Sequence, residues 1–352
     1  MKLLKHLFIC TALLASAALL FVSPQVSQQA IVAGLCVCVG SILPSLFPFF
    51  VFSNLWISLG YAQKLSQKFS HWMARLFHLP GEAASALLLG AVGGYPVGAQ
   101  TAVQLYLEKR LTKDDTSKVL FFCNNAGPAF VFGIIGGGLF QSAAIAAVLW
   151  AIHLGSSLLL GILFRPVLTT NPTQKTTAVI QTPFLPALTC AIGQAGQTTL
   201  MVCTFVLFFS ILSGYLHAVF PTFCSSLIGT ILLGSLELAG GCYRLGALGL
   251  SQEAAFIACS GLLGWGGLCV HCQTTAALSA AGLSANRYLS GKALHALVSA
   301  ALACLIAPLL PLQVPCFAVT KHPPIREITL LSCLLLLLIL KSSSGKMAKH
   351  HI

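Results

Sequence analysis

One acid of this chain lies well inside an apolar run: Glu237, in Leu233-Gly-Ser-Leu-Glu-Leu-Ala-Gly-Gly241. The other six, Glu82, Glu108, Asp114, Asp115, Glu253 and Glu327, stand at the edges of such runs or between them. An ionised group at membrane depth costs about 2.5–3.5 kcal/mol on insertion scales, so its retention points to proton or sodium coupling, or to gating. A plainer role is a helix-end Glu that reaches the interface beside Arg244, seven residues on.

The second candidate is a pair of glycine breaks. GAVGGYPVGAQTAVQL (Gly90 to Leu105) returns as LGWGGLCVHCQTTAAL (Leu263 to Leu278). Without gaps, Gly93, Gly94, Val97, Gln100, Thr101 and Leu105 fall on Gly266, Gly267, Val270, Gln273, Thr274 and Leu278, a constant offset of 266 − 93 = 173. Phe47-Pro48 and Phe220-Pro221 keep the same offset, which reads as a duplicated unit of about half the chain. Glycine permits φ > 0 and close backbone approach, and Pro96 removes a donor. Each break would therefore present amide N–H groups at the start of a half-helix, where the dipole favours an anion such as a carboxylate. The expected substrate contacts are Gly93, Gly94, Tyr95, Pro96 and Gly98 on the first tip, and Gly266, Gly267 and His271 on the second. Gln100 with Thr101, and Gln273 with Thr274, follow on the departing half-helices. The same glycines would also serve close helix packing, and the same amides interhelical bonds.

A third motif, Phe122-Cys-Asn-Asn-Ala-Gly-Pro-Ala-Phe130, sets Asn124 and Asn125 just ahead of a Gly-Pro break. Freed carbonyls and these amides would bind solute or a coupling cation, or the amides would repair the backbone that Pro128 disrupts. Cys269, His271 and Cys272 are too close in sequence to make a tetrahedral metal site without a further ligand. Neither a nucleophile elbow, a P-loop, a zincin helix nor a dinucleotide fingerprint occurs, so no catalytic residue, cofactor or metal is expected.

These residues need a membrane-embedded frame. Hydrophobic residues make up 57% of the chain and charged ones 7%, with a mean hydropathy of +0.90, against about 25% charged in soluble domains. The expected fold class is all-α and polytopic, with about eight or nine crossings. Crossings are expected near 7–23, 30–60, 118–139, 141–164, 196–219, 222–242, 293–313 and 328–341, with Gly-broken re-entrant hairpins near 83–106 and 254–284. Each hairpin is inferred because one apolar segment separates two basic flanks: Lys64, Lys68 and Arg75 from Lys109, Arg110 and Lys113, and Arg244 from Arg287 and Lys292. The 30–60 run contains Pro44 and Pro48 and is a candidate for two pieces. Both hairpins then fall on the cytoplasmic side, whereas an inverted repeat would set them on opposite sides, and their relative orientation is left open.

The organisation expected is an N-terminal membrane helix (1–29), a first unit (30–165), a Thr- and Pro-rich connection (166–195), a second unit (196–315), and a C-terminal helix with a basic tail (316–352). The start MKLLKHLFICTALLASAALLF has the form of a signal peptide, but the membrane run that follows closely favours its retention as a helix. The net charge of +12 is scattered through short loops rather than gathered on one face, which argues against nucleic acid. Most of the 14 cysteines lie in apolar runs, so no disulfide framework is implied.

The series G-G-Y-P-V-G-A (Gly93 to Ala99), F-C-N-N-A-G-P (Phe122 to Pro128), L-E-L-A-G-G (Leu236 to Gly241) and G-G-L-C-V-H-C-Q (Gly266 to Gln273) resembles the YlbJ-type sporulation integral membrane proteins. These belong with the Gate, or nucleoside-recognition, domains, and the resemblance covers roughly residues 30 to 315. It implies a multi-pass transporter in the membrane of a spore-forming bacterium, around the forespore, moving a small anion such as dipicolinate by alternating access. A nucleoside-like solute or a non-transporting sporulation scaffold are the alternatives. The partners it implies are the solute, membrane lipid and a coupling proton or sodium ion, with a homo-oligomer left open. Ala126 replaces an expected Ser, and Cys272 an expected Met. Loss of the Ser hydroxyl puts that position in question as a contact.

Overall fold

The computed structural model describes residues 18, 20–165 and 183–310, and no strand occurs among them. Most of the predicted first crossing, residues 166–182 of the connection, and the last crossing with its tail lie outside the described residues. All-helical folding follows from the composition, because backbone in lipid must satisfy its own hydrogen bonds. Among the described residues, four segments are long and apolar enough to cross a membrane: Ala143–Leu163, Phe184–Val219, Gln252–Ala280 with an interruption, and Asn286–Leu309. Shorter apolar helices lie among them, and large apolar side chains such as Phe208, Ile228, Leu297 and Leu305 face outward. The chain is polytopic, as its composition predicts.

Helix α1 (Pro24–Val37) runs through a wide π turn at Cys38–Ile42 into α2 (Leu43–Ser58), so the 30–60 run is one interrupted span with Pro48 inside it. Next come α3 (Tyr61–Trp72), α4 (Ala83–Gly93) and α5 (Val97–Leu107). Helix α6 (Lys113–Leu120) starts at a capping box of Thr112 and Asp115, and the chain is then non-helical up to α7 (Pro128–Phe130). The predicted 118–139 crossing is thus broken: Pro128 has no N–H to give, and it disfavours helix in the residue before it. Wide turns at Val131–Phe140 lead to α8 (Ala143–Leu163) and the long α9 (Phe184–Val219).

After α10 (Pro221–Cys224), helices α11 (Leu227–Leu236) and α12 (Leu238–Ala247) fold back on one another at Glu237. Gly234 and Gly241 meet backbone to backbone there, and a Cβ on Gly241 would collide with the Gly234 Cα. The predicted 222–242 crossing is therefore a hairpin. The last helices are α13 (Gln252–Trp265), α14 (Gly267–Ala280) and α15 (Asn286–Ile306). Helix α15 begins seven residues ahead of the predicted 293–313 span (293 − 286), which carries Lys292 into the bundle instead of leaving it in a loop.

The two sequence copies fold differently. Helices α4 and α5 lie along one another as a hairpin, whereas α13 packs on α15, and α14 on α5, α9 and α11, so the halves of the second copy diverge at Gly266. Side-chain size accounts for this. The arms of the first copy touch at Gly90 and Gly98, where either Cβ would stand 2.9 Å from the other residue's Cα. At the same offset of 173 the second copy has Leu263 and His271, too large for that approach.

Candidate functional site

Four interruptions of helix meet at one place. Gly94, with φ +79°, lies against the non-helical 121–127 segment, and a Cβ on it would stand 2.8 Å from the Gly127 amide nitrogen. From the same tip Tyr95 crosses to the second break, where its hydroxyl donates to the Leu263 carbonyl at 2.7 Å. A Cβ on Gly266 would stand 3.4 Å from that hydroxyl. Gly267 abuts the third break, 3.3 Å from a built Cβ to the Leu238 nitrogen. A cavity of about 50 Å³ remains between them, lined by Gly94, Tyr95, Gly127, Glu237, Cys269 and Gln273 among others. That space is water-sized, since one water occupies about 30 Å³ in the liquid. A drug-sized solute takes about 300 Å³ or more, so the site is closed.

Glu237 is buried and in its place caps α12: its Oε1 accepts from the Ala239 amide at 2.8 Å and its Oε2 from the Gly240 amide at 2.6 Å. This is neither a Glu snorkelling to Arg244 nor an unpartnered charge. Negative charge at a helix N-terminus is favourable on dipole grounds. Asn124 joins the two halves. Its Oδ1 accepts from the Ala99 amide at 3.4 Å in the first turn of α5, while its Nδ2 donates to Thr274 Oγ1 at 3.2 Å and to the Tyr288 hydroxyl at 3.4 Å. Asn125 repairs backbone, donating to the Phe122 carbonyl at 3.0 Å and to Ser157 Oγ at 3.1 Å.

Of the residues singled out in the sequence, Gly94, Tyr95, Glu237 and Gln273 line the cavity, and Thr274 and Asn124 bond each other beside it. Gly93 packs near Ser53, and Gly98 closes the hairpin over the Cys123 carbonyl. Pro96 is the residue that precedes α5, across a cis bond from Tyr95. Gln100 is half-buried and Thr101 buried on α5, both away from the cavity. His271 turns from the cavity, with Nδ1 2.9 Å from the Tyr288 hydroxyl and its ring 4.3 Å from that of Trp265. Cys272 is exposed, so Cys269, His271 and Cys272 do not converge.

The sequence reading missed a polar stripe on α15. Tyr288, Lys292, His295 and Ser299 all lie at 2% exposure or less. Lys292 Nζ donates to the Asn124 carbonyl at 3.2 Å and stands 3.1 Å from His295 Nδ1. The His295 Nε2 donates to the His153 carbonyl at 2.8 Å, which leaves its Nδ1 as the acceptor for Lys292. His153 Nε2 accepts from the Ala126 amide at 2.8 Å, and its ring stacks on that of His295 at 4.5 Å. Among the described residues no carboxylate lies within ion-pair distance of Lys292. The spacing i, i+4, i+7, i+11 of these four residues is one helix face, and that was the available signal.

Residues 39–153 match the Gate family, described as nucleoside recognition. That is 115 of 352 residues, and it takes in the first hairpin, Asn124, Asn125 and His153 but neither Glu237 nor Lys292. The chain is also 30% identical over 142 residues to the sporulation integral membrane protein YlbJ of Bacillus subtilis (strain 168). The match takes in 40% of this chain and 35% of that relative's length. No solved structure matches. With the helices long enough to span, these similarities identify a multi-pass protein of a bacterial membrane.

Proposed function

We propose that this protein is a carrier, not an enzyme, that moves a small anionic solute across a bacterial membrane by alternating access. The observation that carries the reading is the meeting of four helix breaks around one small cavity, largely apolar but lined also by Tyr95, Glu237 and Gln273. Irregular backbone at membrane depth is tolerated where it is packed in protein or lines a cavity, and broken helices are the usual way transporters build a solute site. A scaffold has no such need, because continuous helices would bury the same area without exposing backbone groups. The similarity to YlbJ supports action during spore formation, and dipicolinate, a small aromatic dianion, is the solute we assign. Glu237 is the proposed coupling or gating group, with a proton or sodium ion as driver. The Gate family's description favours a nucleoside-like solute as the second reading. Self-association of the chain belongs to the proposal as well.

The test is uptake of labelled dipicolinate and of nucleosides into proteoliposomes under imposed pH and sodium gradients, with Glu237→Gln and Asn125→Ala alongside the wild type. Gradient-driven dipicolinate uptake that Glu237→Gln abolishes is the expected result. Uptake of nucleosides alone moves the second reading ahead, and no uptake of either by folded protein ends the carrier proposal.

A further inference from the structure

Behind the cavity lies a charge the carrier reading has not yet used. Lys292 is 1% exposed on α15, and an ammonium has three donors to place. One goes to the Asn124 carbonyl and one to His295 Nδ1. The third has only the face of Tyr95, whose ring centroid is 5.2 Å from Nζ. A buried cation is normally retained with a carboxylate partner, and here the described part of the chain supplies none within reach.

Tyr95 occupies the boundary between this charge and the water-sized cavity. Its side chain lines the cavity and covers Lys292, and its hydroxyl is tied to the Leu263 carbonyl of the other copy. The tie joins α4's tip to α13, so parting the two tips would break it and withdraw the ring together. Donor count, missing counter-ion and the position of the ring agree on one arrangement.

We propose that Lys292 is the residue that receives a carboxylate of the solute, and that Tyr95 covers it until the two tips part. This rests on the anion-carrier reading above. The carboxylate takes the donor now facing the ring, while Asn124 and His295 hold the ammonium in place. Glu237 has no part in the contact, because both of its oxygens are engaged by α12.

The test is equilibrium binding to purified protein in lipid nanodiscs, with pyridine-2,6-dicarboxylate and its neutral analogue pyridine-2,6-dicarboxamide as probes. Wild-type protein should prefer the dianion by ~10- to 100-fold, the range of one charge-assisted hydrogen bond. Lys292→Gln should bring that ratio close to one while still binding the diamide. Because the ratio is taken within one preparation, it does not depend on the amount of folded protein. An unchanged ratio in Lys292→Gln overturns the assignment and leaves the carrier reading standing. A wild type that binds neither probe overturns both. Where Lys292→Gln fails to fold, Tyr95→Phe carries the test with the lysine intact. It removes the tie to Leu263 and so eases opening for either probe: both affinities should rise together while the preference for the dianion is kept, and a preference near one, or no rise in either affinity, overturns the proposal.

Discussion

Gly94→Ala separates the conformational work of the first tip from any contact with solute. Gly94 has φ +79° and ψ −165°, a region that is essentially closed to residues with a Cβ and costs about 1–3 kcal/mol when occupied by one. The new methyl would also stand 2.8 Å from the Gly127 nitrogen and 3.1 Å from its Cα. Both are backbone atoms, so no side-chain rotation relieves the contact, and overpacking of this kind adds about 1–3 kcal/mol. Gly249→Ala is the control: φ is +63° there, but nothing lies within 4 Å of the built Cβ, so only the left-handed strain of about 1–2 kcal/mol applies. At about 2 °C per kcal/mol for a chain of this size, thermal unfolding in detergent should fall by roughly 4–12 °C for Gly94→Ala and about 2–4 °C for Gly249→Ala. A Gly94→Ala protein no less stable than Gly249→Ala would refute the docking of this tip on the 121–127 segment. It would return Gly94 to a role in binding alone.

Asn124→Ala removes three side-chain bonds, two of which join the two halves, worth about 0.6 kcal/mol each in membrane proteins, or about 2 kcal/mol together. A double-mutant cycle with Thr274→Val should show about 0.6 kcal/mol of coupling, and a value near zero would mean the two residues do not interact. Asn125→Ala should cost less, about 1 kcal/mol in the same unfolding assay, because Ser157 still donates to the Phe122 carbonyl at 2.7 Å. Glu237→Gln keeps one acceptor for the start of α12 and should lower stability by only about 1 kcal/mol, so loss of gradient-driven uptake in that variant would report on charge and not on unfolding.

Fold class was legible because it follows from quantities that composition fixes: few charges, long apolar runs and the need of backbone in lipid to pair with itself. The glycine breaks were legible too, since no tertiary context can make Gly-Gly-Tyr-Pro a helix interior as good as leucine. What the repeat concealed was a difference at two positions. Leu263 and His271 stand where the first copy has Gly90 and Gly98, so the second copy does not close as a hairpin although its break is kept. Instead the hairpin of that half forms at Glu237, where Gly234 and Gly241 supply the close approach. Lys292 was assigned to a loop by its charge, a rule that works for lysines at span ends and fails for one facing a bundle interior. Its helical spacing with Tyr288, His295 and Ser299 contradicts the loop assignment, and residues of one helix face are better judged together than singly.

The placement of charge also changes what attracts an anion. Sequence reasoning gave that task to helix N-termini at the breaks, yet these are already occupied. The first turn of α5 gives the Ala99 amide to Asn124, and the first turn of α12 gives two amides to Glu237. A solute carboxylate would have to displace those partners, and for α12 it would have to displace another carboxylate, with no net gain in charge pairing. Helix dipoles therefore explain why Glu237 is tolerated at depth better than they explain solute binding. Lys292 is the group at this centre whose charge has only neutral dipoles and a ring around it. A neutral nucleoside would leave that imbalance as it is, whereas a carboxylate would correct it. Under the carrier proposal, this imbalance of charge at Lys292 is the ground for preferring an anion to a neutral solute.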